Sequence, residues 1–225
     1  MRNLLIVCFI VILLPAFGQS PSGLLQEVNK KFSTVKTYSA GLNLVFDIPG
    51  VKVDPINGNV FYKAPKKFRI KTKGIIFLPK QNPYEAILLL SDSNSYVAVK
   101  MADETVSNVK TTVINVLPKK QADFIVGKFW IDPVNKLVLK SEITTQANGT
   151  LVTNYTYGTM AKNALPDKME LTFDVAKFKV PKAVAVDINS KTKAADNKNK
   201  GTGNVKFTFT NYVVNKNIDD KVFSE

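Results

Sequence analysis

The stretch Gly58–Leu78, GNVFYKAPKKFRIKTKGIIFL, decides the fold. Val60 and Tyr62 alternate with Phe61 and Lys63, and beyond Lys63-Ala64-Pro65 the alternation resumes, Phe68 and Ile70 against Arg69 and Lys71. A period of two belongs to a strand with one apolar and one wet face. Pro65 has no amide donor, so it ends one ladder and makes a corner. Gly74 then turns the chain into Ile75-Ile76-Phe77-Leu78. The stretch reads as strand, corner, strand, turn, strand.

The same ribbon continues on both sides. Upstream, Tyr38, Ala40, Leu42, Leu44 and Phe46 alternate with polar or small neighbours. Before them the period changes to three and four: Leu24, Leu25, Val28, Phe32 and Val35 form the apolar stripe of one helix, with Ser20-Pro21 as its N-cap and first position. Downstream, strands are expected at 85–90, 96–100, 106–117, 124–131, 137–146, 151–157 and 169–175, with Val205, Phe207 and Phe209 in the last long one. Asp132-Pro133-Val134-Asn135 and Asn148-Gly149 are turns. Residues 189–204, NSKTKAADNKNKGTGN, have no periodicity and predict a flexible basic loop. The tail after Tyr212 ends in Val222 and Phe223, which should fold back onto the body. One helix and about 11 antiparallel strands make a mainly β chain, with no internal repeat and no second domain boundary.

Residues 1–18 carry the pattern of a cleaved secretory signal: Arg2, an apolar run Leu4–Leu14, and small residues Ala16 and Gly18 at the cleavage point. The run is shorter than the ~20 residues that span a bilayer. Residues 19–225 are then one secreted domain. Its only cysteine, Cys8, lies in the discarded segment, and the chain has no histidine. A Ser-His-Asp triad, a Cys-His pair and the usual zinc and haem ligands are therefore excluded. No phosphate-binding glycine loop is present. The acidic residues are few, and Glu170 and Asp174 share the polar parity of Lys168, while Asp132 and Glu142 fall at turns or on the wet face. No catalytic residue, metal or cofactor is expected. The net charge of +13 is spread over most strands. It reads as a lysine-rich soluble face or as attraction to an anionic surface, and secretion argues against nucleic acid.

The strands leave a long apolar face made of Leu42, Leu44, Phe46, Val60, Tyr62, Phe68, Ile70, Leu137, Leu139, Tyr155, Tyr157, Leu171, Phe173, Phe207 and Phe209. In a closed sandwich or small barrel these side chains pack as core. In a larger, half-open barrel they line a cavity for an apolar ligand.

The glycine, short strand and Lys63-Ala64-Pro65-Lys66-Lys67-Phe68-Arg69 segment resembles the periplasmic lipoprotein carrier family, LolA-like proteins with the related LolB and RseB-type domains. Leu88-Leu89-Leu90-Ser91-Asp92, Phe129-Trp130-Ile131-Asp132-Pro133, Leu137–Glu142, Asn148-Gly149, Tyr155-Thr156-Tyr157, Leu165-Pro166-Asp167 and the Tyr212–Phe223 tail follow in the family's order. The resemblance implies a half-open antiparallel β-barrel of about 11 strands, with an N-terminal helix and a small helical lid over the concave face. It implies a monomeric, non-catalytic periplasmic carrier. Its concavity would take the acyl chains of lipoproteins or another lipid, between an inner-membrane donor and an outer-membrane acceptor. An RseB-type sensor or interaction module is the alternative. Carriers of the family have an arginine before the proline that ties the lid to the barrel; here that position is Ala64, so the latch is altered.

Overall fold

The computed structural model describes residues 20–50, 53–72, 90, 92–120, 124–146, 149–177 and 201–224. The expected signal segment, the Gly74 turn, the strands at 75–78 and 85–89, and residues 189–200 of the basic loop lie outside these residues.

Helix α1 (Pro21–Ser33) forms where the stripe predicts it. Ser20 caps it by accepting from the Gly23 amide at 3.0 Å, and Leu24, Leu25, Val28 and Phe32 are buried. Eleven strands follow: β1 (Thr37–Asp47), β2 (Ile56–Lys63), β3 (Lys67–Thr72), β4 (Tyr96–Lys100), β5 (Glu104–Val106), β6 (Val109–Pro118), β7 (Phe124–Asp132), β8 (Leu137–Thr145), β9 (Gly149–Thr156), β10 (Lys168–Asp174) and β11 (Thr202–Val214). They form one open antiparallel sheet in the order β3-β2-β1-β11-β10-β9-β8-β7-β6-β4, with β5 paired to β6. The architecture is thus mainly β, an unclosed sheet with one N-terminal helix.

Three local details depart from the sequence expectation. The hairpin β5–β6 was not anticipated. It turns on Ser107 and Asn108, both at positive φ (49° and 63°), the backbone of a two-residue hairpin loop without its usual glycine. Strand β11 starts at Thr202, so the last three residues assigned to the flexible loop are ladder. Gly203 sits opposite Phe173, whose ring leaves no room for a Cβ there. In β8 the register slips opposite Trp130 and Ile131, so that Val138 pairs with Ile131 and is buried, and strict alternation of Leu137 and Leu139 against Val138 is lost.

The sheet curls, and the helix contacts show it. Phe32 of α1 meets Tyr62 of β2, ring centroids 5.6 Å apart, and α1 also packs against β4. β2 and β4 lie near opposite ends of the strand order. In a flat sheet, strands spaced about 4.8 Å apart would put them far beyond the reach of one helix about 10 Å wide and roughly 20 Å long. The sheet therefore wraps towards α1, as a half-open barrel does.

Candidate functional site

The inner face of the wrapped sheet is the candidate site, and the registers build it row by row. On β1, Tyr38, Ala40, Leu42 and Leu44 point inward opposite Tyr62, Val60, Gly58 and Ile56 of β2. Tyr62 and Val60 pair in turn with Phe68 and Ile70 of β3. A side chain at Gly58 would collide with the Lys71 carbonyl of β3, which is why the row is interrupted there. On the other side of β1, Leu42, Leu44 and Phe46 oppose Phe209, Phe207 and Val205 of β11. Met169, Leu171 and Phe173 of β10 continue the face to Tyr155, Thr153 and Leu151 of β9.

All fifteen apolar residues expected on this face belong to one cluster. Ten are buried: Leu42, Leu44, Val60, Tyr62, Leu137, Tyr155, Leu171, Phe173, Phe207 and Phe209. Phe46, Phe68, Ile70, Leu139 and Tyr157 pack against these while remaining partly exposed. Aromatic rings run through the cluster in contact, Phe32–Tyr62–Tyr38–Tyr212–Phe209–Phe207, with successive centroids 5.4–6.4 Å apart. Tyr38, Val205 and Met169 are members that the sequence reading did not single out, although each has the parity of its neighbours.

One polar spot interrupts the apolar face. The Ser141 and Tyr155 hydroxyls lie 3.0 Å apart, both buried, beside buried Thr153. Burial pushes the Tyr155 phenol above its ordinary value, so it stays neutral.

Helix α1 is tied to both sides of the concavity. Its Lys31 ammonium donates to the Asn135 carbonyl in the β7–β8 turn at 2.7 Å. Burial lowers the Lys31 pKa, opposed by the nearby Asp132 charge. That turn is built on Asp132, which accepts from the Val134 and Asn135 amides at 2.8 and 2.9 Å and from the Asn135 side chain at 2.7 Å. Asp132 lies at the turn, as expected, and is buried there. The helix also meets the short 3-10 turn Ala161–Asn163. At its C-terminal end, Asn215 accepts from the Lys36 amide at 2.7 Å and donates to the Thr34 carbonyl at 3.0 Å.

Ala64 is partly buried against the cluster, and its amide donates to the Lys36 carbonyl at 2.8 Å. Its methyl group offers helix α1 no hydrogen bond. The corner around it is held from another direction. The 3-10 turn Asp220–Phe223 packs on β3, Asp220 pairs with Lys63 at 2.7 Å and Lys67 at 3.1 Å, and Lys67 lies over the Phe223 ring at 5.9 Å. Hydrogen bonds from Lys63 and Lys67 hold the Asp220 carboxyl below the usual range. The tail does fold back onto the body.

Among the described residues, no group of three acidic, histidine or cysteine side chains could hold a metal ion, and no helix is long and apolar enough to cross a membrane.

No protein-family model matches the chain, and no curated protein matches it. Solved structures do. A DUF1329 family protein from Desulfovibrio piger has a TM-score of 0.58 at 10% identity, covering 90% of this chain and 95% of that one. A LolA superfamily protein from Nitrosomonas europaea gives 0.57 at 8% identity, covering 91% and 97%. A domain ascribed to outer-membrane lipoprotein sorting in Vibrio parahaemolyticus gives 0.56 at 9% identity, covering 90% and 95%. Identities this low speak for the fold alone. The chain has a LolA-like fold.

Proposed function

We propose that the protein is a non-catalytic periplasmic carrier, exported by cleavage of residues 1–18, that shelters the acyl chains of a lipoprotein or another lipid in its half-barrel. The observation that carries this reading is the inner face. Apolar side chains from strands across the whole sheet converge under a single amphipathic helix, and five of those expected there remain partly exposed. The LolA-like fold supports it.

The helix occupies the place the cargo would take. Four buried apolar side chains, Leu24, Leu25, Val28 and Phe32, contribute on the order of 6–12 kcal/mol by burial. An acyl chain of about 14 methylenes contributes ~11 kcal/mol at ~0.8 kcal/mol each. The two are comparable, so one acyl chain is enough to displace the helix stripe, and release of the chain lets the helix return. No polar recognition is required for this exchange, and Ser141 and Tyr155 offer a cargo ester paired hydroxyls on the face.

Native mass spectrometry after mild extraction should show bound lipid, and a fluorescent fatty acid should bind the emptied protein. Phe68→Asp places a carboxylate at a partly exposed inner position and should abolish probe binding with the fold intact by circular dichroism. Leu44→Asp, at a fully buried position, should unfold the chain. A protein that extracts without lipid and ignores the probe is not a carrier.

A further inference from the structure

The outer face of the sheet is polar along most of its width. Asn43 bonds Asn57 at 2.9 Å, Lys206 pairs with Glu170 at 3.5 Å, and Thr172 bonds Asn204 at 2.7 Å. The β4–β6–β7 end is different. Val97, Val99 and Met101 follow one another at every second position, 49%, 43% and 43% exposed. The Met101 amide donates to Val113, so it prolongs the β4 line. Leu117, 44% exposed, lies directly opposite Val97. Ile125, 46% exposed, is turned outward by the register shift in β7, because Phe124 and Gly127 on either side of it both face inward. Five of the eight exposed large apolar side chains among the described residues are thus gathered at one end of one face.

Lysines border this patch. The Lys119 amide donates to the Ser95 carbonyl at 2.8 Å, continuing the β4–β6 ladder, and alternation puts Lys119 on the side of Leu117. Lys120 follows it. Neither forms an ion pair among the described residues. Of the nearby acids, Asp92 accepts from the Asn94 amide at 3.0 Å and forms no ion pair among the described residues, and the others are already answered. Asp103 pairs with Lys100 at 3.6 Å and Lys110 at 3.8 Å. Glu104 accepts from the Trp130 indole at 2.7 Å and Lys128 at 3.1 Å, and Lys128 also faces Glu142 across the β7–β8 ladder.

We propose that this patch docks the protein on an anionic lipid bilayer, the valines, Met101, Leu117 and Ile125 entering the interfacial layer and Lys119 and Lys120 meeting the headgroups. Two observations select this occupant. Lys119 and Lys120 outnumber the one carboxylate beside them without an ion pair, Asp92, on a chain of net charge +13, which complements an anionic surface. And five half-exposed side chains fall far short of the ~800 Å² per partner that a stable protein interface buries, which argues against a second copy, whereas shallow insertion needs only a few apolar side chains. The patch lies on the face opposite the candidate cargo site, so docking stands whether or not the inner face carries a lipid.

The test is co-sedimentation of the full chain, at low and at high salt, with vesicles of phosphatidylcholine alone and of phosphatidylcholine containing phosphatidylglycerol. The protein should pellet with the anionic vesicles at low salt, less at high salt, and not with the neutral ones. The triple variant Val97→Thr, Val99→Thr, Leu117→Thr, which places the strand-favouring threonine in both strands, should bind at least about tenfold more weakly. Lys119→Gln and Lys120→Gln should each weaken binding about fivefold. Phe68→Asp, which strikes only the inner face, should pellet like the parent and so separates docking from cargo binding. Equal pelleting of the threonine variant and the parent, or no pelleting of the parent, overturns the proposal. So does sedimentation equilibrium showing a parent dimer that the threonine variant loses, since the patch would then serve a second copy.

Discussion

Asp132 is a carboxylate largely withdrawn from water that nonetheless stays ionised. Burial alone would raise its pKa, but donation from Asn135, backbone and side chain, and from the Val134 amide outweighs that and holds it below the usual value. Because the folded carboxyl binds its proton less readily than the unfolded one, its stabilisation is complete above the unfolded value of about 3.9 and disappears as pH falls through the folded value. Asp132→Asn should therefore cost about 1–3 kcal/mol in urea unfolding at neutral pH, and the gap from the parent should narrow in acid below about pH 4. A gap that stays constant across that range would show that the charge is not what the turn uses. The sequence placed Asp132 in a turn correctly and left its burial open. Its three donors come from its own turn and are readable, whereas its cover depends on the packed fold, which is not. Asn215 was illegible for the same reason. It looked like tail, yet it pins the α1–β1 connection some 180 positions away in sequence.

At the scale of the element, helix α1 was the most legible part of the chain, because a 3.6-residue stripe and a Ser-Pro cap are local signals. What it packs on was not legible. If it covers a cargo site, loosening it should favour cargo. Phe32→Ala removes the ring tilted against Tyr62 and should lower stability by about 3–5 kcal/mol if the site cannot collapse, while raising the affinity for a fluorescent fatty acid. Lower stability with no gain in probe binding would mark α1 as ordinary core. The strand elements divide in the same way. Regular alternation gave β1, β2 and β10, while the β5–β6 hairpin turns on Ser107-Asn108, which lacks the glycine that usually advertises such a loop. The start of β11 was hidden because Thr202, Gly203 and Asn204 are polar or without a side chain, and Gly203 is required under Phe173 for packing that only the partner strand reveals.

At the scale of the whole molecule, the antiparallel sense of the strands followed from turn chemistry, and the burial of Leu42, Leu44, Val60, Tyr62, Leu171, Phe173, Phe207 and Phe209 on one parity followed from alternation. The pairing of β1 with β11, which joins the two ends of the described chain at the middle of the sheet, has no local signal. Curvature has none either. It appears only because one helix touches both β2 and β4. This gives a measurable consequence. With no cysteine after Cys8, spin labels on Asn59→Cys and Val97→Cys, both exposed outer positions, would report the separation of those two strands. That distance should lengthen when a fatty acid displaces α1, and an unchanged distance on loading would mean a rigid sheet.

The helix that meets both β2 and β4 is in effect a chord drawn across an arc. A chord fixes the arc's opening at two points together, so neither margin of the sheet can move far while the helix remains seated. The Phe32–Tyr62 contact at one margin and the packing on β4 at the other are thus ends of the same rigid element. The mouth of the half-barrel is set less by the strands that form it than by thirteen residues laid across it.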